Sequence, residues 1–141
     1  SMEKLAVEIG VSKNNVPEYL IYLEKTGLIG QLRDETGGLR GLGKVEKVYI
    51  DNPNLMYALS GNSVDIGNVR ETFFYSQTKV RNDVISSKES DFVIGNNTFE
   101  IGGRKKGQKQ IEGINGGIIV KDDIEYANGN VIPLWHFGLN Y

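Results

Sequence analysis

The chain of 141 residues has no cysteine and a single histidine, His136. Disulfides and thiolate metal centres are therefore excluded, and one histidine cannot build a multi-histidine zinc site. Any metal must sit on oxygen, which favours Mg²⁺, Mn²⁺ or Ca²⁺. Long apolar runs are also lacking, since none approaches the roughly 18 residues of a membrane span, and no basic stretch leads into an apolar one as a signal peptide requires. A cytoplasmic location without a membrane partner is the expectation. Positive charge is not in excess: 16 Lys and Arg face 18 Asp and Glu, for a net charge of −2 and a pI near 5.5. A whole-domain basic field, the mark of a dedicated nucleic-acid binder, is absent, so local patches must do any such work. What is present is enough apolar residue, 39%, for one ordinary domain or two small ones. Ser1-Met2 reads as the remnant of a cleaved tag, and the chain as a piece of a longer protein.

Residues 3–27, EKLAVEIGVSKNNVPEYLIYLEKTG, carry the pattern of a helix-turn-helix. Leu5, Ala6 and Ile9 lie on a short first helix, Gly10-Val11 make the turn, and Val16, Leu20 and Leu23 form the buried stripe of a second helix ended by Gly27. Ser12 is the candidate N-cap; the alternative is a start at Asn14 or Asn15, with Glu18 completing a capping box from Asn15 and Pro17 nearer its preferred first turn. The runs LIGQLRD and VEKVYIDN then flank a Gly-rich tip at residues 36–43, as two strands of a winged helix. A DNA contact there would use Lys13, Asn14, Asn15, Tyr19 and, at the wing tip, Arg40. Glu18 and Glu24 among the exposed positions would repel phosphate, and packing between domains is the competing role.

The second half opens with a short helical turn at residues 54–58 and a helix at 65–80 whose Ile66, Val69, Phe73 and Val80 recur at helical spacing. Strands are expected at 84–87, 91–95 and 98–102, a short helix at 107–113, and a buried strand at Ile118-Ile119-Val120. The segment DFVIGNNTFEIGGRKK reads as a hairpin with a two-residue turn at Gly95-Asn96 or Asn96-Asn97. Alternation then places Phe92, Ile94, Phe99 and Ile101 on one face and Asp91, Val93, Glu100 and Gly102 on the other. Asp91 and Glu100 come roughly 5–8 Å apart, a separation at which two carboxylates can share a hydrated divalent cation. An acid pair on a hairpin is also what an ordinary solvated surface presents. His136, between Trp135 and Phe137, reads as packing.

This hairpin resembles the PD-(D/E)XK nuclease motif, in which an Asp begins one strand, a Glu lies in the next, and a Lys follows two residues after the Glu. Gly102 stands in that Lys position, and the resemblance leaves Lys105 or Lys106 to replace it. The order helix, three strands, helix, strand agrees with the α-β-β-β-α-β core of the restriction-endonuclease-like fold. With the winged helix and the stretches KVEKVYIDNPNLMYAL, GNVRETFFYSQ and IPLWHFG, nearly the whole chain resembles the C-terminal half of bacterial P-loop ATPases of the predicted AAA+ type. These carry a tail domain of unknown function with a PD-(D/E)XK-like fold, here of Bacteroides type.

The resemblance implies a winged-helix domain at 1–50 and a nuclease-like domain at 51–141, an α/β (α+β) chain. It implies Glu71 as a third acid beside Asp91 and Glu100 on Mg²⁺ or Mn²⁺, and Lys105 or Lys106 as the catalytic lysine. Arg104 and Lys109 extend the basic cluster as a phosphate clamp, against the plain alternative of a solvated loop. No G-x-x-x-x-G-K-[ST] occurs; GLRGLGK lacks the spacing, so ATP would bind only in an N-terminal ATPase domain of the same polypeptide. Three functions follow: a degenerate DNA-binding or regulatory module, which the missing lysine favours; an active Mg²⁺-dependent endonuclease; or a protein-interaction tail.

Overall fold

The computed structural model describes residues 2–35, 43–61 and 63–139, so Arg40 and most of the expected wing tip lie outside the described residues. Helices α1 (Met2–Ile9) and α2 (Val16–Lys25) are joined through Gly10, at φ 70°, and a 3-10 turn, Lys13–Asn15. Ser12 Oγ accepts the Asn14 N–H at 3.4 Å and so caps the 3-10 turn rather than α2. Asn15 is the N-cap residue of α2 but makes no side-chain cap bond there, and Pro17 occupies the first turn, where its missing N–H costs nothing. Ala6, Val16, Leu20 and Ile29 form a small buried cluster. Leu23 does not extend it and is 39% exposed, because α1 is only eight residues long and offers no surface that far along.

Strands β1 (Ile29–Arg33) and β2 (Val45–Ile50) pair antiparallel, from Ile29↔Ile50 to Arg33↔Val45. Helix α3 (Pro53–Ser60) is capped by Asn52 Oδ1 on the Leu55 N–H, and α4 (Ile66–Thr78) by Asp65 Oδ1 on the Asn68 N–H. Then follow β3 (Val84–Ser86), β4 (Phe92–Ile94), β5 (Asn97–Gly102), β6 (Gly117–Lys121) and β7 (Val131–Pro133). The described strands form one mixed seven-stranded sheet in the order β2-β1-β3-β4-β5-β6-β7. Pairs β1/β3, β5/β6 and β6/β7 are parallel, and β1 meets β3 through one residue pair, Arg33↔Ile85. The sheet thus runs across the division expected after residue 50.

The β4–β5 hairpin turns at Gly95-Asn96, with Gly95 at φ 61°, and pairs Phe92↔Phe99, Val93↔Thr98 and Ile94↔Asn97. Helix α4 covers one sheet face. Its Phe74 is fully buried, with ring centroids 5.1 Å from Phe92, 5.2 Å from Phe99 and 4.7 Å from Phe137. The apolar stripe expected on this helix is displaced: Val80 is 74% exposed, while Thr72, Phe74, Tyr75, Ser76 and Thr78 are buried. Ser76 and Thr78 can be inside because their hydroxyls donate to helix carbonyls, Ser76 to Phe73 at 2.9 Å and Thr78 to Phe74 at 2.7 Å. Counting apolar residues alone therefore picks the wrong face.

No helix forms at 107–113. Residues 103–116 are a chain of turns carrying β5 over to its parallel neighbour β6, with Ile111 buried and Gly113 and Gly116 at φ 81° and 74°. A Cβ on Gly116 would lie 2.6 Å from the Asn96 carbonyl oxygen, so the turn needs glycine. A 3-10 helix, Leu134–Leu139, closes the described chain, bringing Phe137 onto the core and leaving Trp135 half exposed. The strand and helix content is that of a mixed α/β protein. Since Phe74 is the hub of the aromatic cluster, Phe74→Ala is expected to cost about 3–5 kcal/mol. A urea titration returning a loss below about 1 kcal/mol would contradict this account of the core.

Candidate acid site and its lysine

Phe99 and Ile101 of β5 face α4, so Glu100 between them faces the opposite side, toward the 103–116 crossover. Its carboxylate is 1% exposed. Oε1 is ion-paired with Lys106 Nζ from the crossover, and Oε2 accepts the Ser90 hydroxyl at 2.5 Å. The single Ser90 hydroxyl proton is shared between this acid and the Phe99 carbonyl oxygen, 3.0 Å from Oγ. Burying a lone carboxylate is costly, and the Lys106 ammonium supplies the opposite charge that makes it tolerable.

Gly102 explains how Lys106 gets there. A Cβ on Gly102 would lie 2.6 Å from Lys106 Cγ and 2.7 Å from its Cβ, so the absence of a side chain two residues after Glu100 is what makes room for this lysine. The Lys106 N–H donates to the Gly103 carbonyl at 2.9 Å, a tight turn that folds the residue back over β5. Lys105, the other candidate replacement, is exposed and does not join the acids. The same holds for Arg104 and Lys109; among the described residues these three make no ion pair.

Asp91 lies one residue before β4, and its Oδ2 accepts the Ile101 N–H at 2.7 Å. Burial pushes its carboxyl up to about 6, the charges of Glu100 and Glu71 push the same way, and the Ile101 N–H and Lys106 partly oppose them. Glu71, in the second turn of α4, accepts the Tyr49 hydroxyl at 2.8 Å and is ion-paired with Lys47. Burial, with Glu71 beside it, raises the Tyr49 phenol well above its usual range and keeps it a donor. The three expected acids therefore lie near enough to influence one another, yet each has its own partner. Lys47, Tyr49 and Ser90 escaped the sequence reading; only Ser90, next to Asp91, carried a local hint.

A shared divalent cation does not fit this arrangement as it stands. Both Glu100 oxygens are engaged, Glu71 is held by Tyr49 and Lys47, and among the described residues no group of three or more Asp, Glu, His or Cys side chains is placed to hold a metal.

The expected helix-turn-helix contacts are arranged for themselves as well. Lys13, in the 3-10 turn, is ion-paired with Glu3 of α1. Asn14, Asn15 and Tyr19 are exposed, and Tyr19 is accompanied by exposed Tyr22, whose hydroxyl donates to Glu18 at 2.6 Å. Comparison with protein-family models, curated proteins and solved structures returned no match.

Two measurements check the site. Asp91 has a raised folded carboxyl, so its proton is held by the native state and lost earlier by the unfolded chain; stability from this group is full below about pH 4 and falls as pH rises through about 6. Asp91→Asn is therefore expected to stabilise the protein at pH 8, on the order of 1 kcal/mol after allowing for solvent screening, with the gain vanishing below about pH 4. Equal urea midpoints for the two proteins at pH 8 would refute the strained ionised state. The second measurement is a double-mutant cycle. Lys106→Met should cost about 3 kcal/mol because Glu100 is left buried and uncompensated, and adding Glu100→Gln should recover a large part of that loss.

Proposed function

We propose that this chain is a winged helix followed by a restriction-endonuclease-like core whose acid site has passed from cation ligation to internal ion pairing, and that it binds nucleic acid without cutting it. The observation that carries the reading is the Lys106 ammonium on buried Glu100 above Gly102. In a hydrolytic site a carboxylate must be open to the cation that activates water and neutralises the phosphate, and Glu100 is closed off with both oxygens engaged. The lysine that would orient a nucleophile is here the counter-ion of that carboxylate. Arg104, Lys105 and Lys109, exposed beside it, are the charges left for a phosphate backbone. On this reading the module is the tail of a P-loop ATPase, and ATP belongs to another part of that polypeptide.

A second reading, a tail that docks on a partner protein or its own ATPase domain, is favoured by Val7, Ile9, Ile21 and Tyr22, apolar residues exposed on α1 and α2. The two readings and the enzymatic one separate in a single set of assays. Fluorescence anisotropy with labelled DNA and RNA should show binding that weakens with salt, the strands should stay intact in Mg²⁺ or Mn²⁺, and Mg²⁺ should leave the melting temperature unchanged. Metal-dependent cleavage lost in Asp91→Asn and Glu100→Gln would establish an endonuclease instead. Absence of any nucleic-acid binding would leave the partner-protein reading.

A further inference from the structure

The β6–β7 edge holds a groove that none of the acid-site arguments uses. It has a volume of about 520 Å³, within the roughly 300–1,000 Å³ of small-ligand sites. Arg104, Gln108, Lys121, Tyr126, Asn128 and Asn130 line it. Lys121 lies opposite Gly102 in the β5/β6 register, on the sheet face that carries Glu100. Lys121 Nζ donates to the Arg104 carbonyl at 3.4 Å, which ties the crossover to the end of β6 and sets two cations on one wall.

The other wall is made by the turn after β6. Asp123, at φ 60°, reverses the chain, and Tyr126 then stands 81% exposed. A tyrosine left this open next to a cationic wall is unused by the core. Gln108 and Asn130 are bonded to one another at 3.4 Å, and Asn130 also donates to the Gly117 carbonyl at 3.1 Å, so their amides are held in place on the groove floor. The acids nearby are Asp122, ion-paired with Arg70, and exposed Asp123 and Glu125 on the Tyr126 segment. They bias phosphate toward the Arg104 and Lys121 wall.

We infer that this groove binds single-stranded nucleic acid, with phosphates on Arg104 and Lys121, a base stacked on Tyr126, and base edges met by the amides of Gln108, Asn128 and Asn130. The inference rests on the nucleic-acid-binding reading above and narrows it to a place and a strand state. Cationic groove plus exposed aromatic is the chemistry that holds single strands with little sequence preference, because every base has a π face and a duplex hides it. DNA and RNA share that chemistry.

The test uses 15-mer oligo-dT and oligo-U and a duplex of equal length, in anisotropy titrations at several salt concentrations. Single strands should bind more tightly than the duplex. Tyr126→Ala should weaken them roughly tenfold while Tyr126→Phe keeps wild-type affinity, as stacking requires. Arg104→Ala and Lys121→Gln should each flatten the salt dependence by about 0.7 in log–log slope, the share of one phosphate on a single strand. An oligo-dU arm, which differs from oligo-U in the sugar alone, says which sugar is preferred. Single-strand affinity unchanged in Tyr126→Ala, or duplex bound in preference to single strands, would overturn the groove and leave nucleic-acid binding elsewhere on the chain intact. No binding of any strand would overturn both.

Discussion

A buried carboxylate must find a positive charge, and in this molecule the whole of one sheet face is arranged around that requirement. Glu100 sits in the middle of β5, flanked by Phe99 and Ile101 that need the α4 side, so its own side chain has only the crossover side to go to. The crossover brings Lys106 to it, Gly102 leaves the space, and Ser90 takes the second oxygen. Were the cation mobile in solution rather than tethered, the same cavity would need an ion from outside. Tethering removes that dependence.

The acids around it show how separate partners divide what would otherwise be one strongly repulsive cluster. Glu71 is drawn toward β2 by Lys47 and Tyr49, and Asp91 is fastened to the backbone of Ile101. Asp91 nevertheless remains the least comfortable of the three, since an N–H bond offsets only part of its desolvation and its neighbours' charge. Polar satisfaction in this region is therefore complete in hydrogen bonds but uneven in energy.

Much of the secondary structure was legible because its signals are local. Period-two alternation and a glycine able to take positive φ located the hairpin and its two faces, though between two possible turns, and the helix expected at 65–80 starts at Asp65, the residue that caps it. The buried face of α4 was not legible, because buried Thr72, Ser76 and Thr78 look polar in sequence, and the last two bury hydroxyls satisfied within the helix. The lack of a helix at 107–113 follows from Gly113, Gly116 and the close approach of Asn96, a contact across the chain that no window of sequence contains. At the site, the acids could be named from spacing. Which of Lys105 and Lys106 turns inward depended on the tight turn at Gly103, and Lys47 and Tyr49 reach Glu71 from the edge strand β2, 24 and 22 residues away in sequence.

The single Arg33↔Ile85 bridge between β1 and β3 has a consequence for how the molecule comes apart. Backbone pairing there is minimal, and the two hydrophobic clusters do not share a buried residue. What spans the gap is side-chain packing: Leu32 of β1 and Tyr49 of β2 are buried in the same cluster as Phe74, Tyr75 and Phe92, with the Tyr49 ring centroid 5.0 Å from that of Tyr75 and 5.8 Å from that of Phe92. Polar straps add to it: the Tyr75 hydroxyl on the Gln31 carbonyl, Lys79 with Asp51, and Lys47 and Tyr49 with Glu71. Cooperativity between the N-terminal and C-terminal halves thus rests on this shared aromatic core, with charge and hydroxyl contacts added, rather than on ladder bonds. Salt therefore leaves the unity of the sheet intact, since apolar contacts are not screened, and the part placed to come away first is the α1–α2 pair on its own small cluster.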